Sequence, residues 1–142
     1  MKKTVNSILV MAVAFLMLIS LVSCSETVEG DSLWNDAIYT EDTVLGEGAK
    51  TVAVEVKAGE KSVVFTIKTD EAILGDALAA HGLVEGEEGP YGLYVKKVNG
   101  ILADYDVDAS YWGFYKNGEY MMTGIDVTEF TDGEHYELVY TK

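Results

Sequence analysis

Cysteine, arginine, histidine and long apolar runs are nearly missing from these 142 residues, and each shortage removes a class of function. Cys24 is the only cysteine. A single thiol makes no disulfide, redox pair or zinc site, so packing must stabilise whatever folds. Arginine is absent, and the ten basic residues stand against 24 acidic ones for a net charge of −14. A polyanion without guanidinium does not hold nucleic acid, whose affinity comes mainly from neutralised phosphates. Nor does it cling electrostatically to anionic lipid. His81 and His135 are the only histidines. Neither has a cysteine nearby or an E-x-x-H spacing, which is a poor basis for a metal centre. His81 falls instead at a helix end, where the dipole favours a cation. There is no G-x-S-x-G elbow, and no histidine stands in a recognisable relation to a serine. Paired glycosidase carboxylates want a deep cleft that so small a domain rarely offers. The expectation is a protein that is not an enzyme and carries no cofactor.

The one long apolar run covers residues 8–22 (ILVMAVAFLMLISLV). It is short for a membrane span, which needs about 20 apolar residues. Preceded by Lys2 and Lys3, it suits the core of a signal peptide. It ends in Leu21-Val22-Ser23-Cys24, which resembles the lipobox of bacterial lipoproteins. That resemblance implies a diacylglycerol on the Cys24 thiol and cleavage that leaves Cys24 as the new N-terminus. Each buried CH₂ contributes about 0.8 kcal/mol, and one acyl chain alone holds only marginally, so two are needed. The bland alternative is an ordinary secretory signal with a chance cysteine. The position of Cys24 just past the apolar run, after small Ser23, favours lipidation. Without residues 1–23 the chain has 8 basic and 24 acidic side chains, a net charge of −16. The expected partner is therefore the membrane, through a lipid anchor, and the expected location is extracytoplasmic.

Residues 24–33 are polar and acidic and read as a tether. Residues 34–142 read as one domain, long enough for an ordinary core. A lead-in over residues 34–48 has no sustained period and is expected to pack partly on the domain or to begin an edge strand. From Thr51 the signals sharpen. Val52, Val54 and Val56 alternate with Ala53, Glu55 and Lys57; after Ala58-Gly59-Glu60, Val63, Phe65 and Ile67 do the same. This spells a β-hairpin with one apolar face. Asp70 then offers a cap for a helix carrying Ile73, Leu74, Ala77, Leu78 and His81 on one face, with Gly82 as a left-handed terminator and Leu83 covering the end. Residues 86–92 (GEEGPYG) hold the only proline and read as a loop. Strands are expected over residues 93–98 and 101–105, joined by Asn99-Gly100. Another pair, residues 111–116 and 119–122, is joined by Asn117-Gly118; both dipeptides favour type I′ turns. Asp132-Gly133 precedes a last strand over residues 136–140. A hairpin, one helix and several more strands describe an α+β fold, a β-grasp-like mixed sheet with one helix packed across it. An unrelated α+β sandwich is the alternative.

Tyr111-Trp112-Gly113-Phe114-Tyr115 is the notable segment. As a strand it sends Tyr111 and Tyr115 to one face and Trp112 and Phe114 to the other. One face must be core; the other presents aromatic surface beside Gly113, where the backbone is open to close approach. Aromatics pack more often than they bind, so a site here competes evenly with a fully packed strand. Tyr91, Tyr94, Tyr105, Tyr136 and Tyr140 are candidates to extend that surface. Asp104, Asp106 and Asp108 would line up on a strand, but an EF-hand wants Gly and Glu where Ala109 and Tyr115 stand. A solvated edge that discourages strand pairing is the preferred reading.

The segments LWNDAIYTEDTVLGEG, TIKTDEAILGDAL, LVEGEEGPYGLYVKKVNGILADY, YWGFYKNGEYMMTGID and DGEHYELVY resemble the C-terminal β-domain of transcobalamin and intrinsic factor. The likeness runs from about residue 33 to the C-terminus. Its most specific part is the aromatic strand with the Asn117-Gly118-Glu119 turn and Gly124. The resemblance implies a β-grasp fold related to soluble-ligand-binding domains, which in the vitamin carriers closes over one face of cobalamin beside a large helical domain. It implies a ligand region at Tyr111, Trp112, Phe114 and Tyr115, with Gly92 and Tyr94 on the preceding strand. The expected function is a lipid-anchored surface module that binds a soluble, corrinoid-like ligand near a transporter. An envelope protein-interaction or adhesion module without a small-molecule ligand is the alternative.

Overall fold

Strict alternation of β-branched and polar residues builds the centre of the molecule. In the computed structural model, which describes residues 32–142, β2 (Lys50–Ala58) and β3 (Lys61–Thr69) pair antiparallel without a slip, from Lys50 opposite Thr69 to Ala58 opposite Lys61. Gly59, at φ +63°, makes the turn. Val52, Val54, Val56, Val63, Phe65 and Ile67 are all buried, as a period of two on a one-sided sheet demands. The lead-in supplies β1 (Thr43–Leu45), parallel to β3 at the sheet edge. On the other side β9 (His135–Thr141) runs parallel to β2 and is followed by β7 (Tyr111–Lys116) and β8 (Glu119–Tyr120). The result is a six-stranded mixed sheet ordered β1-β3-β2-β9-β7-β8.

A second, antiparallel sheet holds β4 (Val84–Gly89), β5 (Gly92–Val98) and β6 (Ile101–Leu102). Among the described residues the fold also holds the short helices α1 (Leu74–Ala79) and α2 (Tyr105–Asp108), with 3-10 turns at Trp34–Asp36 and Ile125–Val127. Leu74, Ala77 and Leu78 of α1 join Val84, Val98 and Ile101 and the inner face of the large sheet in one apolar core. The fold is mixed α+β and mainly β, with two sheets where one was expected.

Three local expectations fail for identifiable reasons. Residues 86–92 are not a loop: all but the Pro90-Tyr91 turn is strand, paired to β5 through a bulge at Glu85/Gly86. Every β4 side chain beyond Val84 is exposed, so no alternation marks the strand in the sequence. Gly86 is required there because a Cβ would collide with the Tyr94 carbonyl. Secondly, Asp70 does not cap α1. Its carboxylate accepts from the Ala49 amide at 2.8 Å, while the helix starts at Ile73, bridged to Glu129, with the Leu74 amide on the Thr128 carbonyl. The end of the helix is as expected: Gly82 has φ +66° and Leu83 is buried. Thirdly, the strand after Gly100 stops at Leu102. The Asp104 carboxylate accepts from the Asp106 amide at 3.1 Å, and this side-chain cap turns the next residues into α2.

The lead-in is fastened by side chains whose bonding the sequence pattern did not reveal. The Trp34 indole donates to the Ala58 carbonyl at 2.9 Å. Fully buried Asn99 accepts from the Tyr39 amide at 2.9 Å and donates to the Tyr39 carbonyl at 2.8 Å.

Candidate functional site

The aromatic strand divides its residues between packing and surface. Trp112 and Phe114 point into the core, each 8 % exposed. The Trp112 indole donates to the Ile101 carbonyl at 3.3 Å and meets Tyr140 edge-on at 5.7 Å. Phe114 stacks on Tyr136 at 5.6 Å. These contacts make both rings packing residues. Tyr115 lies over Gly113, where an added Cβ would stand 2.9 Å from the tyrosine ring, and meets Tyr120 edge-on at 5.4 Å.

Tyr111 opens the strand and faces outward into a cleft of about 410 Å³. Tyr94 of β5, Tyr105 and Asp106 of α2, and Asp104 at the α2 cap supply the other walls. The α2 turn is what brings its tyrosine and aspartate round to the two strands. A left-handed Ala109 at φ +62° then returns the chain to β7. Of the six ligand residues expected from the sequence, only Tyr94 and Tyr111 line this cleft. Tyr105 stood among five tyrosines named as candidates to extend the aromatic surface, and Asp106 in an aspartate row read as a solvated edge. That row is broken up by the helix: Asp104 caps it, Asp106 faces the cleft, and Asp108 binds Ser110 and pairs with Lys142 at 3.3 Å.

Gly92 stands outside the lining of this cleft. Its φ is +103°, and a Cβ there would stand 2.6 Å from an Asp126 carboxylate oxygen. That oxygen accepts from the Leu93 amide at 3.1 Å, clamping the loop before β9 to the start of β5, while the second oxygen is buried without a protein partner.

Electrostatics tune the cleft. Burial, then Asp104 and Asp106, push the Tyr94 phenol above its ordinary pKa, so it stays a neutral donor and acceptor. Lys96 bonds to Glu87 at 3.1 Å and lies 3.8 Å from Asp104. The Glu87 hydrogen bond, with Asp104 adding to it, raises the Lys96 pKa against the opposing effect of burial. No hydrogen bond links the Tyr94, Tyr105 or Tyr111 hydroxyl, or the Asp106 carboxylate, to another described residue. Such groups, set in an apolar-walled hollow of this size, are suited to orient a small ligand. Among the described residues, no group of three His, Cys, Asp or Glu side chains is placed to hold a metal ion. His135 lies 3.9 Å from Glu55, and His81 lies against Gly46. A second hollow of about 400 Å³, lined by Trp34, Thr40, Glu60 and Val63, lies where the lead-in meets the β2–β3 turn.

Comparisons with known proteins bear on both fold and family. A crystal structure from Ruminococcus gnavus ATCC 29149, provisionally described as a metal-binding protein, is 35% identical with a TM-score of 0.63. The alignment covers 66% of this chain and 98% of that one. Haptocorrin in complex with Cbi is similar in fold, at 19% identity and a TM-score of 0.50, over 69% of this chain. This chain spans only 26% of haptocorrin's length. No curated protein matches the sequence. The model of the domain of unknown function DUF4430 matches residues 71–142, half the sequence, and the chain belongs to that family.

Proposed function

We propose that residues 34–142 form a non-catalytic, β-grasp-like binding module that holds a soluble ligand in the Tyr94–Tyr105–Tyr111 cleft. The observation that carries this reading is the convergence of three tyrosines from three elements on one hollow, their hydroxyls making no hydrogen bond to other described residues. The likeness to haptocorrin makes a planar, corrinoid-like molecule the first ligand to try. Residues 1–31 lie outside the described residues, and with them the signal over 1–23, Cys24 and most of the tether. In this reading they carry the module out of the cytoplasm and anchor it to the cell membrane by lipid, close to a transporter that takes up the ligand.

Titrating purified protein with cobalamin and its precursors, followed by absorbance and tryptophan fluorescence, tests the ligand. Saturation is expected, and it should be lost in Tyr94→Ala and Tyr111→Ala. A flat response at millimolar ligand removes the corrinoid reading. An adhesion or protein-interaction role draws on a different observation, the full exposure of Tyr91 and Met122 on loops. Cross-linking on intact cells would then trap a protein partner independently of the cleft tyrosines.

A further inference from the structure

We infer that the Tyr94–Tyr105–Tyr111 cleft selects an organic cation, an ammonium group carried on a small hydrocarbon body. The inference rests on the cleft being the ligand site and adds the chemistry of what enters it. Three aromatic rings line one hollow of about 410 Å³. The electron-rich faces of such rings attract a poorly hydrated cation far more than a neutral group of equal shape. The charge balance at the rim points the same way. Lys96 is engaged by Glu87 at 3.1 Å and by Asp104 at 3.8 Å, and Asp106 also acts on it through space, so one positive charge stands against three carboxylates and the rim stays net negative. The Asp106 carboxylate, which lines the cleft, accepts no hydrogen bond from another described residue and is open to an incoming group. Tyr94 remains a neutral ring beside these carboxylates and adds no competing charge. The surrounding protein, at −14 overall, concentrates cations near its surface. An anion would meet two aspartates at this cleft, and a neutral body would gain nothing from the excess negative charge.

The test compares choline with 3,3-dimethylbutan-1-ol, which has the same shape with carbon in place of the charged nitrogen. Each is titrated into the purified protein at constant ionic strength and followed by NMR shifts of the tyrosine rings. Choline should saturate in the millimolar range and the alcohol should not. Tyr105→Ala should weaken choline about tenfold, on the scale of a lost cation–π contact. Asp106→Asn, an exposed isosteric change, should weaken it about fivefold, and added salt should do the same to the native protein. Equal binding of both probes overturns the charge inference and leaves the cleft standing as a ligand site. Potassium competing at the same concentration as choline also overturns it, because the rings would then contribute nothing. If neither probe shifts the rings while a corrinoid does, the inference falls and the ligand-binding reading survives. Silence from every probe ends both.

Discussion

Asn99 performs two tasks with one side chain. Its backbone takes φ +50° at the head of the β5–β6 turn, and its amide, with no solvent exposure, makes a double hydrogen bond to Tyr39. Asn99→Ala keeps neither. It removes the polar side chain that lets asparagine tolerate a left-handed backbone and leaves both Tyr39 backbone groups unpaired, which should cost about 2–4 kcal/mol in urea unfolding. Glu134 is the other instructive residue. It accepts from Lys116 at 2.8 Å, from the Tyr136 hydroxyl at 2.6 Å and from the Thr131 amide at 3.1 Å. The Lys116 bond first, then Tyr136, hold its pKa down to about 2 from a usual 4.5. A depressed carboxylate contributes stability that is complete above the unfolded value and is lost as pH falls from there toward the folded one. Between pH 6 and pH 2, Glu134 should therefore account for up to about 3 kcal/mol of acid destabilisation. Unfolding curves at both pH values should show a smaller acid loss for Glu134→Gln than for the native protein. An unchanged loss would remove this carboxylate from the account.

At the scale of elements, β7 gives the clearest contrast between packing and surface. Trp112→Ala or Phe114→Ala empties a packed site and should cost about 3–5 kcal/mol. Tyr111→Ala and Tyr94→Ala, on rings open to the cleft, should cost under about 1 kcal/mol and yet abolish ligand response. Thermal melts beside binding titrations separate the two classes. A Tyr111 variant that melts as early as Trp112→Ala would make the tyrosine a structural residue. Elements with a buried face were legible: the first hairpin, both Asn-Gly turns and the close of α1 follow from alternation, left-handed dipeptides and Gly82. β4 was not, because an exposed acidic edge strand carries no period and is held to β5 by backbone bonds and by the Lys96–Glu87 and Lys97–Glu85 pairs. α2 was hidden as well, since Asp-Tyr-Asp-Val-Asp alternates like a strand until Asp104 bonds back to Asp106.

For the whole molecule, the expectation to test is the anchor. Cys24→Ser should move the protein from the membrane fraction to the soluble one. Mass spectrometry of the native protein should find Cys24 at the N-terminus carrying acyl chains. An unprocessed Met1 would overturn the exported reading.

Composition and period by themselves determined the absence of disulfides, the acidic surface, the hairpin and helix of the core, and which residues on β7 alternate. Those properties are local, written in neighbouring residues and in the sign of the total charge. Which face of β7 is buried, and the meeting of Tyr94, Tyr105 and Tyr111 in one cleft, come from packing in three dimensions. The physical reason is distance along the chain. The cleft forms where two strands meet a helical turn, and its position depends on the packing of Trp112 beneath Ile101 and on the Asp104 cap, contacts that no periodicity records.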